Sequence, residues 1–88
     1  MPSEFRWNDW NRDHATRHGV PEHESEHVVR FAKRPYPRRQ DAGKWLVVGR
    51  GTGDRFVEVV FTLDADGTAC ILHAMPLGGR RGRRRRRN

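Results

Sequence analysis

Apolar residues come in short blocks whose spacing changes once, near position 44, dividing the chain into a helical half and a strand half. Phe5-Arg6-Trp7 alternates apolar and polar and predicts a short edge strand. Asn8 is a favoured N-cap, because its side chain accepts from the first free N–H groups of a helix. Asp9 suits the positive end of that helix, and the run to His18 holds no Gly or Pro. Gly19 then closes it as a left-handed C-cap. A second helix opens at Pro21, with Glu22, Glu24 and Glu26 in its first turns. His27, Val28, Phe31 and Ala32 form a stripe at helical spacing, and Arg34 before Pro35 marks the end. Residues 35–43 predict a loop, stiffened by its prolines and dense in cations.

Beyond that loop the period becomes two. Lys44 to Arg50 is β-branched and aromatic and predicts a strand. Gly51-Thr52-Gly53-Asp54 predicts a turn. Arg55 to Leu63 predicts a second strand, with Val57, Val59, Phe61 and Leu63 on one face and Arg55, Glu58 and Thr62 on the other. Asp64-Ala65-Asp66-Gly67 predicts a hairpin turn, and Thr68 to Met75 a third strand stopped by Pro76. The expected architecture is α+β: a short N-terminal strand, two helices on one face of a three-stranded antiparallel meander, and a basic C-terminal segment. Residues 1–79 would be one domain and 80–88 a tail.

The length of 88 residues bounds the chain to one small domain, which buries roughly 60–65% of the surface its unfolded chain exposes. No stretch approaches the ~18 apolar residues that span a bilayer, and the first 14 residues lack the apolar core of a signal peptide. One cysteine, Cys70, excludes an internal disulfide framework. A cytoplasmic protein, away from membranes, is expected.

Charge adds more than composition does. The net charge is +7, and residues 80–88 hold seven arginines, so residues 1–79 are neutral. That body is itself segregated. Residues 1–27 carry −3, residues 28–55 carry +6 and residues 56–79 carry −3. The middle block runs through Arg30, Lys33, Arg34, Arg38, Arg39, Lys44, Arg50 and Arg55. Together with the tail it predicts a positive face for a phosphate backbone or an acidic protein.

His23-Glu24-Ser25-Glu26-His27 spells the zinc-protease pattern. Here His27 falls on the apolar stripe, the chain is short for a cleft, and packing is the expected role; no metal is predicted. No P-loop or dinucleotide fingerprint occurs, and Gly49-Arg50-Gly51-Thr52-Gly53 joins strand to strand, whereas phosphate cradles open helices. Lys44, Arg50, Arg55, Glu58 and His73 remain as polar groups on the expected sheet. Metal-free RNA cleavage needs a proton acceptor for the 2′-OH, a donor for the leaving oxygen and cations for the phosphorane. His73 suits proton transfer and the arginines suit phosphate.

Phe5-Arg6-Trp7-Asn8, Arg17-His18-Gly19-Val20, Lys44-Trp45-Leu46-Val47-Val48-Gly49-Arg50, Asp54-Arg55, Val59-Val60-Phe61-Thr62 and Ile71-Leu72-His73-Ala74-Met75-Pro76 with a basic tail follow one another in an order that resembles the BrnT-type toxin family. The resemblance implies a RelE-like fold and a bacterial type II toxin, an endoribonuclease that inhibits translation and needs no cofactor. It also implies a cognate antitoxin that covers the basic face and tail, and contact with operator DNA only through the antitoxin complex. Arg55 is the best-matched catalytic residue; Arg50, Lys44 and His73 join it on chemical grounds. Arg34, Arg38, Arg39, Arg80, Arg81, Arg83 and Arg84 are the expected RNA or antitoxin contacts. The chain departs from the family in a shorter first helix, in Met75 where many members carry arginine, and in a tail of almost pure arginine. A second reading is a non-catalytic relative that binds nucleic acid or an acidic protein with the same surface.

Overall fold

The computed structural model describes residues 2–77; the arginine tail, with Arg80, Arg81, Arg83 and Arg84, lies outside the described residues. Its elements are β1 (Phe5–Arg6), α1 (Asp9–Thr16), α2 (Glu22–Arg30), β2 (Arg38–Arg39), a short 3-10 turn (Asp41–Gly43), β3 (Trp45–Arg50), β4 (Phe56–Leu63) and β5 (Ala69–Pro76). Among the described residues, no helix is long and apolar enough to cross a membrane.

Asn8 caps α1 as predicted, and its partner is Asn11. The Asn11 N–H donates to Asn8 Oδ1 at 3.0 Å, and the Asn8 N–H donates back to Asn11 Oδ1 at 2.6 Å. Asn11 is fully buried, and its Nδ2 also donates to the carbonyls of Arg6 (2.9 Å) and Ile71 (3.1 Å). One amide thus joins the cap, β1 and β5. The helix ends at Thr16, whose carbonyl accepts from Gly19 N–H at 3.0 Å. Gly19 has the expected left-handed φ of +84°, but it lies two residues beyond the C-cap at Arg17, so the helix stops short of His18.

The second helix is shorter than its pattern predicts. It ends at Arg30, and Phe31 leaves helical geometry at φ −108°, ψ 28°. Pro35 explains this, since it has no N–H for the Phe31 carbonyl and its ring would clash there. Residues 31–36 instead close short turns, with Ala32 N–H on Val29 O and Tyr36 N–H on Lys33 O.

The expected three-stranded meander is present but is the centre of a larger, mixed sheet of five strands ordered β1-β5-β4-β3-β2. β1 pairs parallel to β5, with Phe5 opposite Ala69. Within the segment expected to be a loop, Arg38 and Arg39 pair antiparallel to Leu46 and Trp45. Two-residue strands of this kind carry no alternation that a pattern can report.

The two helices pack on one face of the sheet, α1 against β5 and α2 against β3 and β4. Val47, Val57, Val59, Phe61, Ala69, Ile71 and Ala74 fill that face, with Ala15, Val20, Val28 and Val29 above them. A register shift after Val60 pairs Val60 with His73 and Phe61 with Ile71, leaving Leu72 as the extra residue. Leu63 was expected on the core face but is 42% exposed at the strand end. The opposite face carries Leu46, Val48, Phe56, Glu58 and Val60 with no helix over it among the described residues.

Asn11→Ala leaves the Arg6 and Ile71 carbonyls unpaired and empties a buried site. The expected loss is about 2–3 kcal/mol in urea unfolding, with the unfolding slope unchanged.

Candidate nucleic-acid interface

The early end of α2 leaves a gap between that helix and the edge of β3. His27, Phe31, Lys33, Arg34, Tyr36, Val48, Gly49, Arg50 and Phe56 line the resulting groove, of about 540 Å³. Each element delivers its part for a local reason. The last turn of α2 presents His27, whose ring lies 4.8 Å from that of Phe31. The turns forced by Pro35 bring Lys33, Arg34 and Tyr36 to the wall. The outer face of β3 and β4 supplies Arg50 opposite Phe56, with the guanidinium 5.0 Å from the ring centre.

Phe31 is 61% exposed and Phe56 47% exposed, so both rings are open to solvent where they line the groove. Among the described residues, Lys33 and Arg34 make no ion pair. Arg50 donates to Asp54 at 2.7 Å, but both side chains are well exposed, so the pair is weak and Arg50 is free to re-aim. Three cations and three aromatic rings in one groove match single-stranded nucleic acid, since cations follow the backbone and bases stack on rings.

The expected catalytic quartet does not converge. Arg55 was placed on the face of Glu58; its side chain instead turns to the helix side, because odd-numbered positions here point to the core. Its Nη2 donates to Glu24 Oε1 (2.7 Å) and to the Gly19 carbonyl (3.0 Å), and its Nε to Glu24 Oε2 (3.1 Å). Glu24 is 2% exposed. The Arg55 hydrogen bonds hold its carboxyl below the usual range against the opposing effect of burial, and Glu24 in turn raises Arg55. A Cβ at Gly51 would lie 2.1 Å from Glu24 Oε2, so only glycine admits that carboxylate. The glutamate of the His-Glu-x-x-His string is therefore half of an ion pair. Among the described residues, no group of three His, Cys, Asp or Glu side chains is arranged to hold a metal.

His73 stands on β5, away from the groove lining. Its Nε2 is 3.7 Å from Glu58 Oε2, and the His18 ring meets it edge-on at 5.7 Å. Lys44 lines a separate hollow of about 440 Å³ with Gln40, Asp41 and Ala42. Arg38 and Arg39 form β2 on the sheet edge, and Arg39 lies 5.3 Å from the centre of the Trp45 ring. Burial pushes the Cys70 thiol up, so it stays protonated near neutrality. Of the predicted contacts, the groove gathers Arg34 and Arg50. His27, Phe31, Lys33, Tyr36 and Phe56 were not among them. For Phe31, Lys33 and Tyr36 the signal is the alternation of cations and aromatic rings around Pro35 and Pro37; His27 and Phe56 carry none.

No family model matches the chain, and no curated protein or solved structure matches it.

Glu24→Gln should cost about 2–3 kcal/mol at pH 7, the low end for a broken buried pair because Arg55 is about one-third exposed. Since the Glu24 pKa is lowered on folding, its contribution is complete above the ordinary glutamate value of about 4.3 and disappears as pH falls through the folded value. Unfolding curves of the two proteins should therefore differ most near neutrality and approach each other in acid.

Proposed function

We propose that the chain is a metal-independent endoribonuclease toxin of RelE-like type, similar to the BrnT family, that holds RNA in the groove at the β3 edge. The meeting of Lys33, Arg34 and Arg50 with Phe31, Tyr36 and Phe56 supports this most directly. The α+β order with two helices on one face of the sheet is in keeping with it. In this mechanism bases stack on the rings, which positions the backbone between the cations. The RNA 2′-OH attacks the adjacent phosphorus, the P–O5′ bond breaks to leave a 2′,3′-cyclic phosphate, the departing 5′ oxygen takes a proton from water, and Arg34 and Arg50 stabilise the charge that develops. His27 takes the 2′-OH proton, as the imidazole in the groove lining. A cognate antitoxin would neutralise the protein in the cytoplasm by covering this basic surface.

Binding without cleavage is the second reading. It is favoured by the dispersal of Arg55, His73 and Lys44 away from the groove.

Induced expression in a bacterial host separates the two. Growth arrest with RNA decay is expected for the parent protein. His27→Ala should lower the cleavage rate about 100-fold or more while leaving RNA affinity in place. Arg34→Ala with Arg50→Ala should abolish both, and His73→Ala should change neither. Intact RNA and normal growth from soluble, folded parent protein would establish the binding reading.

A further inference from the structure

The groove also contains a free strand edge. Gln40 N–H donates to the Lys44 carbonyl at 2.8 Å on the β2 side, whereas Gly51 N–H donates to the Arg55 carbonyl at 2.7 Å on the β4 side. Backbone groups alternate sides along an extended strand. Even-numbered residues of β3 therefore turn their N–H and C=O groups toward β2. Leu46 meets Arg38 there, but β2 extends no further, so Val48 and Arg50 have no strand partner on that side among the described residues. Tyr36 would stand opposite Val48 if β2 continued. Its N–H is committed to Lys33 O, and Pro35 and Pro37 on either side have none to give.

Natural proteins blunt sheet edges with bulges, short strands or a covering element. Among the described residues, the β3 edge has neither a bulge in its pairing with β4 nor a strand over Val48 and Arg50. Phe31 and Tyr36 flank it on one side and Phe56 on the other, so side chains alternating from an added strand would meet rings on both faces. Lys33, Arg34 and Arg50 surround it with positive charge.

We propose that the β3 edge at Val48 and Arg50 receives an extended acidic segment of another protein as an added sixth strand. Backbone hydrogen bonds to Val48 and Arg50 would supply register, alternate apolar side chains would cover the rings on one face, and acidic side chains on the other would meet the surrounding positive charge. This goes beyond the RNA reading and does not rest on it. RNA would engage the side chains of the groove, whereas the added strand needs its backbone.

The test uses the full chain and a fluorescent peptide, acetyl-Asp-Val-Glu-Val-Asp-Val-amide, followed by anisotropy. A second peptide of the same charge carries N-methyl groups on alternate amides, so it cannot pair as a strand. Saturable binding of the first peptide is expected, with about tenfold or greater weakening on N-methylation, as loss of two or more backbone bonds implies. Val48→Pro, which removes one edge N–H and suits an edge position, should weaken it similarly, and a single-stranded oligouridylate is titrated against the parent protein alongside. Should that variant not fold, the N-methylated peptide decides alone. Equal binding of both peptides would overturn the proposal by reducing the effect to charge. So would absence of peptide binding, or a parent protein that sediments as a dimer and becomes a monomer on Val48→Pro, which would assign the edge to a second copy of the chain. If oligouridylate fails to bind while the peptide binds as expected, the RNA reading falls and the added strand stands.

Discussion

Glu24 leaves water almost entirely on folding, and Arg55 is what makes that burial tolerable. The fork of Arg55 spans both carboxylate oxygens and reaches on to the Gly19 carbonyl, at the end of the first helical segment. One ion pair therefore ties together the turn after α1, the first half of α2 and the start of β4. Gly51 completes the arrangement by leaving room for the carboxylate over the β3–β4 turn. Had any side chain stood there, α2 would have to rise from the sheet. The position of the helix over β3, and hence the width of the gap at its end, follows from this contact.

The groove is then a consequence of two terminations. α2 stops early because Pro35 prevents its last turn, and β2 stops early because the Pro-Tyr-Pro segment cannot continue the ladder. Both vacated positions border the same stretch of β3. What collects there is a set of side chains that neither the helix nor the sheet absorbs: His27 and Phe31 beyond the useful part of α2, Lys33 and Arg34 in the turns, Arg50 and Phe56 where β3 and β4 begin to part. The charge segregation of the sequence is resolved in space by the same events. Arg55 is drawn inward to Glu24, Arg30 lies over Phe5, 5.0 Å from its centre, and Lys33, Arg34 and Arg50 face the groove, while Arg38, Arg39 and Lys44 stand apart from it.

Much of this fold is legible in the sequence where periodicity is long enough to speak. The three central strands, both helix starts and the left-handed glycine after the first helix follow from spacing and from turn chemistry. The two flanking strands are not legible, because two residues make no pattern, and β1 finds its partner some sixty positions away. The end of α2 was misjudged by its apolar stripe, which continues to Ala32 although the backbone has already left the helix. The candidate site is less legible still. Arg55 and Glu58 differ by an odd number of residues, so alternation alone places them on opposite faces, and chemistry had grouped them. The pairing of Glu24 with Arg55 spans 31 residues and has no local signature. The aromatic residues among the cations of residues 31–39 were visible throughout, and their meaning depends on the groove that only the folded chain creates.

The proposed function places single-stranded RNA on the rings of this groove. Photo-crosslinking of the full chain to a 4-thiouridine oligonucleotide, with the attached residues identified by mass spectrometry, addresses it directly. Adducts are expected at Phe31, Tyr36 and Phe56. Adducts confined to the exposed Trp10, stacked on His14 on α1, would contradict it.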